Sequence, residues 1–378
     1  MDTKKAEMVL TYTLKLPIAG LNKFGLFPKN RSKEVLIPTT YLTILAAYLV
    51  AAAFQFTNMK REVSQYVDNL EALIGGIQLF RKVLTLTYCE EDFKKLINKM
   101  RQFWNPNECN ESTVTEINSV YNIVLRVQKL SLSISISAVF FAIISPLFGK
   151  SLPSGAWAFE EHYVLYYVML TMSELITIFS GLFCCFFDCM YAAFCAEIIV
   201  QFKILCYHIE HLAADDGNLQ EKELNFSNKM KKYVDQHRFL IKFVDEFQSL
   251  YSTIMLVQYS TVCLLLCIEL YAAMESYTIQ FVVRYATMGG IILMQLIFYC
   301  IPANYITDEA MAVSNAAYFS KWYSDCFPSM KQPLLLMIQK SQQEITIKAG
   351  GVITMNAPTV LAVLKVAWSA CSVMRQLK

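Results

Sequence analysis

Residues Val360–Lys378 read VLAVLKVAWSACSVMRQLK, an apolar run with helical spacing that also carries Lys365, Arg375 and Gln376. On a helical wheel of about 100° per residue, one face is narrow and small, and it holds Ala362, Val366, Ser369, Val373 and Leu377, with Ala370 and Gln376 at its flanks. The opposite face is bulky and holds Leu364, Trp368, Cys371 and Arg375. A small-residue stripe of this kind is either a packing seam between membrane helices or the lining of a pore. Periodicity alone leaves both interpretations open.

The whole chain shares this apolar character. Of its 378 residues, 55% are hydrophobic and only 17% are charged, whereas a soluble domain usually carries about 25% charged residues. The mean hydropathy is +0.37. The net charge of +2 gives no sign of nucleic-acid binding. The composition therefore predicts an all-α membrane protein with several spans.

A bilayer core about 30 Å thick is crossed by about 20 helical residues, and seven stretches meet this length. They are Val35–Phe56, Tyr66–Tyr88, Leu130–Phe148, a segment within Val164–Leu205, Phe247–Ala273, Thr278–Ala303 and Ala357–Leu377. Arg81 and Lys82 interrupt the second stretch, and the fourth is long enough to project from the membrane. Ser131–Ala138 alternates like a strand, but an open strand cannot satisfy its backbone in lipid, so we predict helix there.

Lysine and arginine indicate the orientation. They concentrate in the loops after the second, fourth and sixth stretches, whereas the other loops hold chiefly Lys60, Arg61 and Lys150. This bias predicts a cytoplasmic N-terminus and, with seven spans, an extracellular C-terminus. The glycosylation sequons that begin at Asn30, Asn110 and Asn225 then lie on the cytoplasmic side and should stay unmodified. We expect no cleaved signal peptide, and we expect the cysteines in apolar runs to be buried rather than paired.

The segment between the sixth and seventh spans is predicted to form cytosolic helices with apolar faces. Thr307 can cap a helix start, with Asp308 and Glu309 in the first turn, and a second helix is predicted to start near Pro333. These faces need a packing partner, either the projecting fourth helix or another subunit. The chain thus divides into a cytoplasmic segment 1–34, six spans in 35–303, a cytosolic anchor region 304–352 and a last helix in 353–378.

No catalytic or cofactor motif is visible, so we expect neither an enzyme nor a cofactor. The cluster that most resembles a metal site is His208, Glu210 and His211, but a zinc site needs a third or fourth ligand that is not evident here. We therefore interpret these residues as the solvent-exposed end of the fourth helix. Ionisable residues inside predicted spans are functional candidates. They are Glu174, Asp188, Glu269 and Arg284. We expect Glu269 and Arg284 to snorkel to the outer interface and Asp188 to meet the cytoplasmic headgroups, while Glu174 lies deeper in the outer half.

The C-terminal third resembles the insect odorant receptor family. The resemblance rests on Tyr318 and Trp322, Leu334–Leu336, Ile347–Gly350, and Leu364 with Lys365, in content and spacing. The terminal QLK is similar to the ending of the shared co-receptor of that family. The length, the seven predicted spans and the inverted orientation fit over the whole chain.

The resemblance implies an odorant-gated cation channel in which four subunits meet around a pore lined by the last helix. By position, Val373, Gln376 and Leu377 match the gate and mouth residues of the family, whereas Arg375 departs from the co-receptor. The connection between spans four and five, about Tyr207–Glu246, is shorter than that of the co-receptor. This implies a ligand-tuning subunit that assembles with co-receptor subunits, among membrane lipids, in the plasma membrane of an olfactory neuron.

The resemblance also implies a pocket for a small volatile in the outer half, among spans two, three, four and six. The positions that map to it are Leu73, Ile74, Ile77, Phe140, Ile143, Ile144, Met172, Ile176, Phe281, Tyr285 and Met288. Such an apolar wall suits a ligand held by shape and dispersion. Three rivals remain: a gustatory-type receptor of the same superfamily, whose last-span signature is missing here; a G-protein-coupled receptor, opposed by orientation and by missing DRY and NPxxY motifs; and a transporter, opposed by the lack of repeats.

Overall fold

The computed structural model describes residues 12–27, 36–57, 63–148, 163–212, 219–276, 278–320, 328–343 and 345–376. Within these residues, the helices are α1 Lys15–Lys23, α2 Leu36–Thr57, α3 Val63–Tyr88, α4 Glu90–Lys99, α5 Glu111–Phe148, α6 Tyr163–Glu210, α7 Leu219–Glu275, α8 Ile279–Phe319, α9 Pro328–Ser341 and α10 Ala357–Gln376. Two short strands, β1 Lys348–Ala349 and β2 Ile353–Thr354, pair antiparallel just before α10. Asn30, Lys60, Arg61, Lys150, Trp322 and Leu377, and the side chains of Ile143 and Arg375, lie outside the described part.

Each of the seven predicted stretches is helical, in α2, α3, α5, α6, α7, α8 and α10. Ser131–Ala138 lies inside α5, so the prediction of helix over strand is confirmed. By length and composition, five of the described helices could cross a membrane: α2, α5, α6, α7 and α8. The apolar part of α10 is shorter, at Ala357–Val373, and α3 is interrupted by Arg81 and Lys82.

Two helices are far longer than a bilayer is thick. α6 has 48 residues and α7 has 57, which correspond to about 72 Å and about 86 Å of helix. The prediction that the fourth membrane helix exceeds the bilayer thickness is therefore confirmed. The connection expected at Tyr207–Glu246 is mostly helix instead, because α7 already begins at Leu219.

The predicted helix starts at Thr307 and Pro333 are wrong. α8 continues through Thr307 to Phe319, and Thr307 Oγ1 donates to the carbonyl oxygen of Ile345 at 2.9 Å. Ile306, Ala310, Val313 and Ala317 are buried along this continuous helix, so tertiary packing overrides the local capping signal. α9 begins at Pro328, and Pro333 lies inside it.

The core is built around α6, which packs against α1, α5, α7 and α8. Aromatic residues recur every fourth position on α6, and the rings of Phe179, Phe183 and Phe187 are in contact one after the other along this helix. Four residues after Phe187, the Tyr191 ring lies 4.7 Å from that of Tyr299 on α8 and 5.1 Å from that of Tyr251 on α7. Among the described cysteines in apolar runs, Cys184, Cys263 and Cys267 are free but only half-buried, and those that are free and buried are Cys185, Cys189, Cys195, Cys300 and Cys371. Beyond Ala303, α8 lies against α6 of the same chain, where Lys203 Nζ is 2.8 Å from Glu309 Oε1, but Phe319 at the end of α8 and Leu335 on α9 are exposed.

Candidate functional site

The start of the last helix is fixed by a hairpin. Its turn contains Gly350 with φ of 60° and Gly351 with φ of 73°, a backbone conformation that glycine adopts without steric cost. The Gly350 N–H donates to the carbonyl oxygen of Ser252 at 2.9 Å, and Ser252 Oγ donates to the carbonyl oxygen of Lys348 at 3.1 Å. These bonds tie the chain before α10 to α7.

Asn356 caps the N-terminus of α10. Its Oδ1 accepts hydrogen bonds from the backbone N–H of Thr359 at 3.1 Å and from the Thr359 hydroxyl at 2.7 Å, which satisfies a donor that the first helical turn leaves open. Asn304 on α8 accepts a further bond from the N–H of Ala357 at 3.4 Å. The N-terminal end of α10 is therefore attached to both α7 and α8.

One face of α10 packs against other helices of the same chain. Val360, Val363, Ala367 and Cys371 are buried on it, and α10 packs against α7 and α8. Near the other end of the helix, Cys371 Sγ lies 3.2 Å from Met274 Sδ of α7. The face of α10 that packs on α7 and α8 therefore differs from the small-residue stripe. It includes Cys371 of the bulky face but not Trp368, which is exposed.

The small-residue stripe faces away from the rest of the described helices. Val366 is 56% exposed and Val373 is 52% exposed, and Ala362, Ser369 and Gln376 are exposed on the same side. The described helices of this chain therefore do not cover these residues. This side of α10 is therefore available to lipid, to water or to another protein chain.

The residues predicted for the ligand pocket fall into three groups. Ile74 and Tyr285 are buried; Leu73, Ile144, Ile176 and Met288 are half-buried; Ile77, Phe140, Met172 and Phe281 are exposed. The structure brings some of them together. Ile74 and Ile176 belong to the main core cluster, and Tyr285 packs with Val67 of α3 and Ala272 of α7, with its ring 6.3 Å from that of Phe281. Phe140 of α5 belongs to neither cluster.

The described N-terminal part of α6 is more exposed than its middle. On α6, Thr171, Met172 and Leu175 are exposed, whereas Met190–Phe194 is buried throughout. Two clefts lie elsewhere. One, of about 470 Å³, is lined by Trp104 and by Lys232 of α7, and the other, of about 300 Å³, is lined by Asp245 of α7 and Lys340 of α9. None of the predicted pocket residues lines either cleft.

The ionisable residues inside the predicted spans are arranged differently from the expectation. Asp188 is an ion-pair partner of buried Lys82, and its own side chain is only 14% exposed. Glu269 is buried rather than snorkelling. Arg284 is exposed, with its guanidinium carbon 5.8 Å from the centre of the Tyr285 ring. Glu174 is half-buried, and the described residues offer no hydrogen-bond partner to its carboxylate.

The histidine cluster is explained by aromatic packing. The His208 ring lies 5.1 Å from Trp104 and 5.9 Å from Tyr233, and His211 Nδ1 lies 2.8 Å from the carbonyl oxygen of Tyr207. Over the described ranges, no three His, Cys, Asp or Glu side chains form a group that could hold a metal ion.

The ion pair between Lys82 and Asp188 was not predicted from the sequence, because the two residues are 106 positions apart.

Comparison with known proteins gives a consistent result. Residues 62–368 match the family model described as 7tm Odorant receptor. Odorant receptor 22c of Drosophila melanogaster is 24% identical over 217 residues, 56% of this chain and 53% of that protein. Odorant receptor 10 of Aedes albopictus is 25% identical over 260 residues, 67% of this chain and 68% of that protein. The chain thus matches about half to two thirds of the length of these relatives.

The fold is also similar to solved structures. The insect olfactory receptor OR5 from Machilis hrabei superposes with a TM-score of 0.79 at 14% identity, covering 97% of this chain and 98% of the receptor. The same receptor in complex with eugenol superposes with a TM-score of 0.68, also at 14% identity. At this identity the likeness concerns the fold alone.

Proposed function

This chain belongs to the insect odorant receptor family, and from that membership we propose that it is a ligand-tuning subunit of an odorant-gated, non-selective cation channel. In this proposal a small apolar volatile binds in the outer half of the bundle and opens a pore lined by α10. Co-receptor subunits complete the ring. The complex lies in the plasma membrane of a sensory dendrite, and the subunit is a receptor rather than an enzyme.

The observation that carries the proposal is the uncovered stripe on α10. The helix is fixed at its inner end by the hairpin and by Asn356, while Val366, Val373 and Gln376 face away from α7 and α8. Four such faces around an axis would enclose a narrow passage. Small apolar residues there can close it by dewetting, and the uncharged amide of Gln376 suits weak selectivity among cations.

Two further features support the ligand site. Pocket positions on α3, α6 and α8 include residues that already pack into the core, such as Ile74, Ile176 and Tyr285. Neighbouring positions such as Met172 and Phe281 remain exposed. A partly open apolar wall between helices can be completed by a small volatile, held by dispersion and shape. The eugenol complex of the related fold motivates phenols as one class to try.

The proposed topology follows from the same helices. We place the N-terminus in the cytoplasm and count α3 and α10 among seven spans. Only a short segment separates the end of α6 at Glu210 from the start of α7 at Leu219. That short connection is the reason for proposing a tuning subunit rather than the co-receptor.

The test is expression in cells that lack odorant receptors, with and without a family co-receptor. A panel of single volatiles (esters, alcohols, aldehydes, amines, and phenols including eugenol) is applied under whole-cell recording. We expect a cation current that needs the odorant and that appears only with, or is strongly increased by, the co-receptor. An N-terminal epitope should be reached by antibody only after permeabilisation. Surface labelling of that epitope on intact cells, or an odorant response carried by G proteins without current, would overturn the proposal.

A further inference from the structure

A lysine is buried inside the helix bundle. Lys82 of α3 is only 1% exposed, and its Nζ lies 2.7 Å and 3.0 Å from the two carboxylate oxygens of Asp188 on α6. The Asp188 side chain is itself 14% exposed. An ionised side chain in such a place is costly unless it is paired, so this pair constrains how α3 and α6 meet.

A third helix joins the pair. The Tyr299 hydroxyl of α8 donates to Asp188 Oδ1, and Lys82 Nζ lies 5.7 Å from the centre of the Tyr299 ring. The carbonyl oxygen of Tyr299 accepts a hydrogen bond from the Tyr191 hydroxyl at 3.1 Å. Lys82, Asp188 and Tyr299, called the three-helix joint below, therefore connect α3, α6 and α8 at one point.

The position of the joint relates it to the proposed ligand site. On α3, Lys82 follows Ile77 by five residues; on α6, Asp188 follows Ile176 by twelve; on α8, Tyr299 follows Met288 by eleven. At about 1.5 Å per residue, the joint lies about 8–18 Å from these pocket positions along each helix. The three helices that carry most of the proposed pocket are thus fastened together on the same side of it.

The three-helix joint also lies between the proposed ligand site and the start of the proposed pore helix. α8 continues beyond Tyr299 to Asn304, which accepts the hydrogen bond from the N–H of Ala357 at the start of α10. If α8 could slide against α3 and α6, a movement of its outer part would be lost in that sliding and would not reach the contact between Asn304 and Ala357. A polar joint resists such sliding, since each displacement separates a buried charge from its partner.

We propose that Lys82, Asp188 and Tyr299 are positioning residues for gating, which hold the inner ends of α3, α6 and α8 fixed so that an odorant-driven movement of their outer ends is transmitted through α8 to α10. This inference rests on the proposed function. It assigns no ligand contact to the joint. The competing reading is that the pair only supports folding.

The discriminating variant is Tyr299→Phe, which keeps the ring and removes only the hydroxyl that reaches Asp188. The matched control is Tyr305→Phe on the same helix, whose side chain is 55% exposed. Both are expressed with the co-receptor, and responses are recorded with the panel volatile that gives the largest wild-type current. Surface protein is quantified by biotinylation in the same cells.

We expect Tyr299→Phe to raise the half-maximal odorant concentration about fivefold or more, at wild-type surface level, as for an ordinary coupling between two sites. Tyr305→Phe should leave it unchanged. The Asp188→Asn change should give the same direction of shift. In the Asp188→Asn background, Tyr299→Phe should add little, because both act through the same carboxylate.

Three results would overturn the inference. The first is a wild-type odorant response in Tyr299→Phe at normal surface level. The second is a loss of surface protein with an unchanged half-maximal concentration, which is the signature of a purely structural role. The third is full additivity of Tyr299→Phe and Asp188→Asn. A wild-type complex without odorant-gated current would instead refute the proposed function, and this inference with it.

Discussion

The backbone N–H of Gly350 donates a hydrogen bond to the carbonyl oxygen of Ser252 at 2.9 Å, so the turn before the last helix rests directly on α7. The approach is so close that a Cβ at residue 350 would lie 2.6 Å from Leu256 Cδ2. Gly351, the next residue, has a similar backbone conformation but no heavy atom within 4 Å of a Cβ placed there. The two glycines therefore form a matched pair for separating contact from backbone strain.

Gly350→Ala should destabilise the protein more than Gly351→Ala. Both substitutions force a left-handed conformation on alanine, at about 1–2 kcal/mol, but only Gly350→Ala also collides with Leu256. The measurement is the thermal midpoint of detergent-solubilised protein, followed by size-exclusion chromatography. Equal midpoints for the two variants would show that Leu256 gives way without cost.

The pore interpretation predicts that Gln376→Lys reduces cation current and that Val373→Ala raises the odorant-free current. The first places positive charge at the proposed mouth, and the second widens an exposed position of the stripe. Leu361→Ala is the control, since Leu361 is exposed on another face of α10. The recordings use complexes with the co-receptor, where effects should be partial and the odorant rank order unchanged. Wild-type permeation and basal current in both variants, at normal surface expression, would make the stripe a seam between subunits.

The pocket interpretation predicts that enlarging Met172 or Ile176, for example Ile176→Phe, changes odorant potency and rank order. An apolar site discriminates one methylene by about 1–3 kcal/mol. Leu175→Phe is the matched control, because this neighbour is 64% exposed. Dose–response curves over the volatile panel give the readout. Unchanged rank order in several such variants, or an equal effect of Leu175→Phe, would move the pocket elsewhere.

His237 predicts a loss of stability in acid. It precedes the predicted span that starts at Phe247, and its Nε2 lies 3.2 Å from Ser341 Oγ of α9. Burial, with a smaller effect of Lys340, lowers the pKa of His237 to about 4. Below about pH 6.5 the unfolded chain binds a proton at this histidine, whereas the folded chain does so only near pH 4. The free energy of unfolding is therefore highest above pH 6.5 and falls progressively as the pH is lowered to about 4.

By pH 5 the loss from His237 should be about 2 kcal/mol. His237→Gln keeps a polar side chain toward Ser341 but does not titrate, so its thermal midpoint should fall less than that of the wild type between pH 7.5 and pH 5. An identical fall in the two proteins would mean that other groups cause the acid sensitivity.

Replacing each of two buried glutamines by leucine should affect the thermal stability differently. Gln78 Nε2 of α3 donates to Thr261 Oγ1 at 2.6 Å, whereas the amide nitrogen and oxygen of Gln258 on α7 have no hydrogen-bond partner among the described residues. Gln78→Leu leaves Thr261 with a lost bond and should lower the thermal midpoint, while Gln258→Leu removes an unsatisfied group and should leave it unchanged or higher. A larger loss for Gln258→Leu would reveal a partner for its amide.

Much of the architecture could be predicted because lipid imposes a local rule. An apolar stretch of sufficient length must satisfy its backbone within itself, so Ser131–Ala138 becomes helix despite its alternation. The helix starts proposed at Thr307 and Pro333 failed for the opposite reason. Capping preference is a small local term, and the buried face of α8 from Ile306 to Ala317 outweighs it.

The candidate site was predictable in residue type but not in environment. The wheel grouped Ala362, Val366 and Val373 correctly on one side of the last helix, since helical period is a property of the chain itself. Whether that side is covered depends on where α7 and α8 lie. The structure puts Val360, Val363 and Cys371 on the covered side, which the hydrophobic pattern could not distinguish because both faces are apolar.

The sequence by itself determined that this chain is helical, that its helices are apolar enough to cross a membrane, and that it resembles odorant receptors. These properties follow from local composition and motif spacing. Only the tertiary structure decided that Lys82 meets Asp188 and Tyr299, that Glu269 is buried, and that the stripe on α10 faces outward. The physical reason is range. Helix formation needs partners four residues away, whereas the Lys82–Asp188 pair joins positions 106 residues apart, and its cost or benefit exists only once the helices have packed.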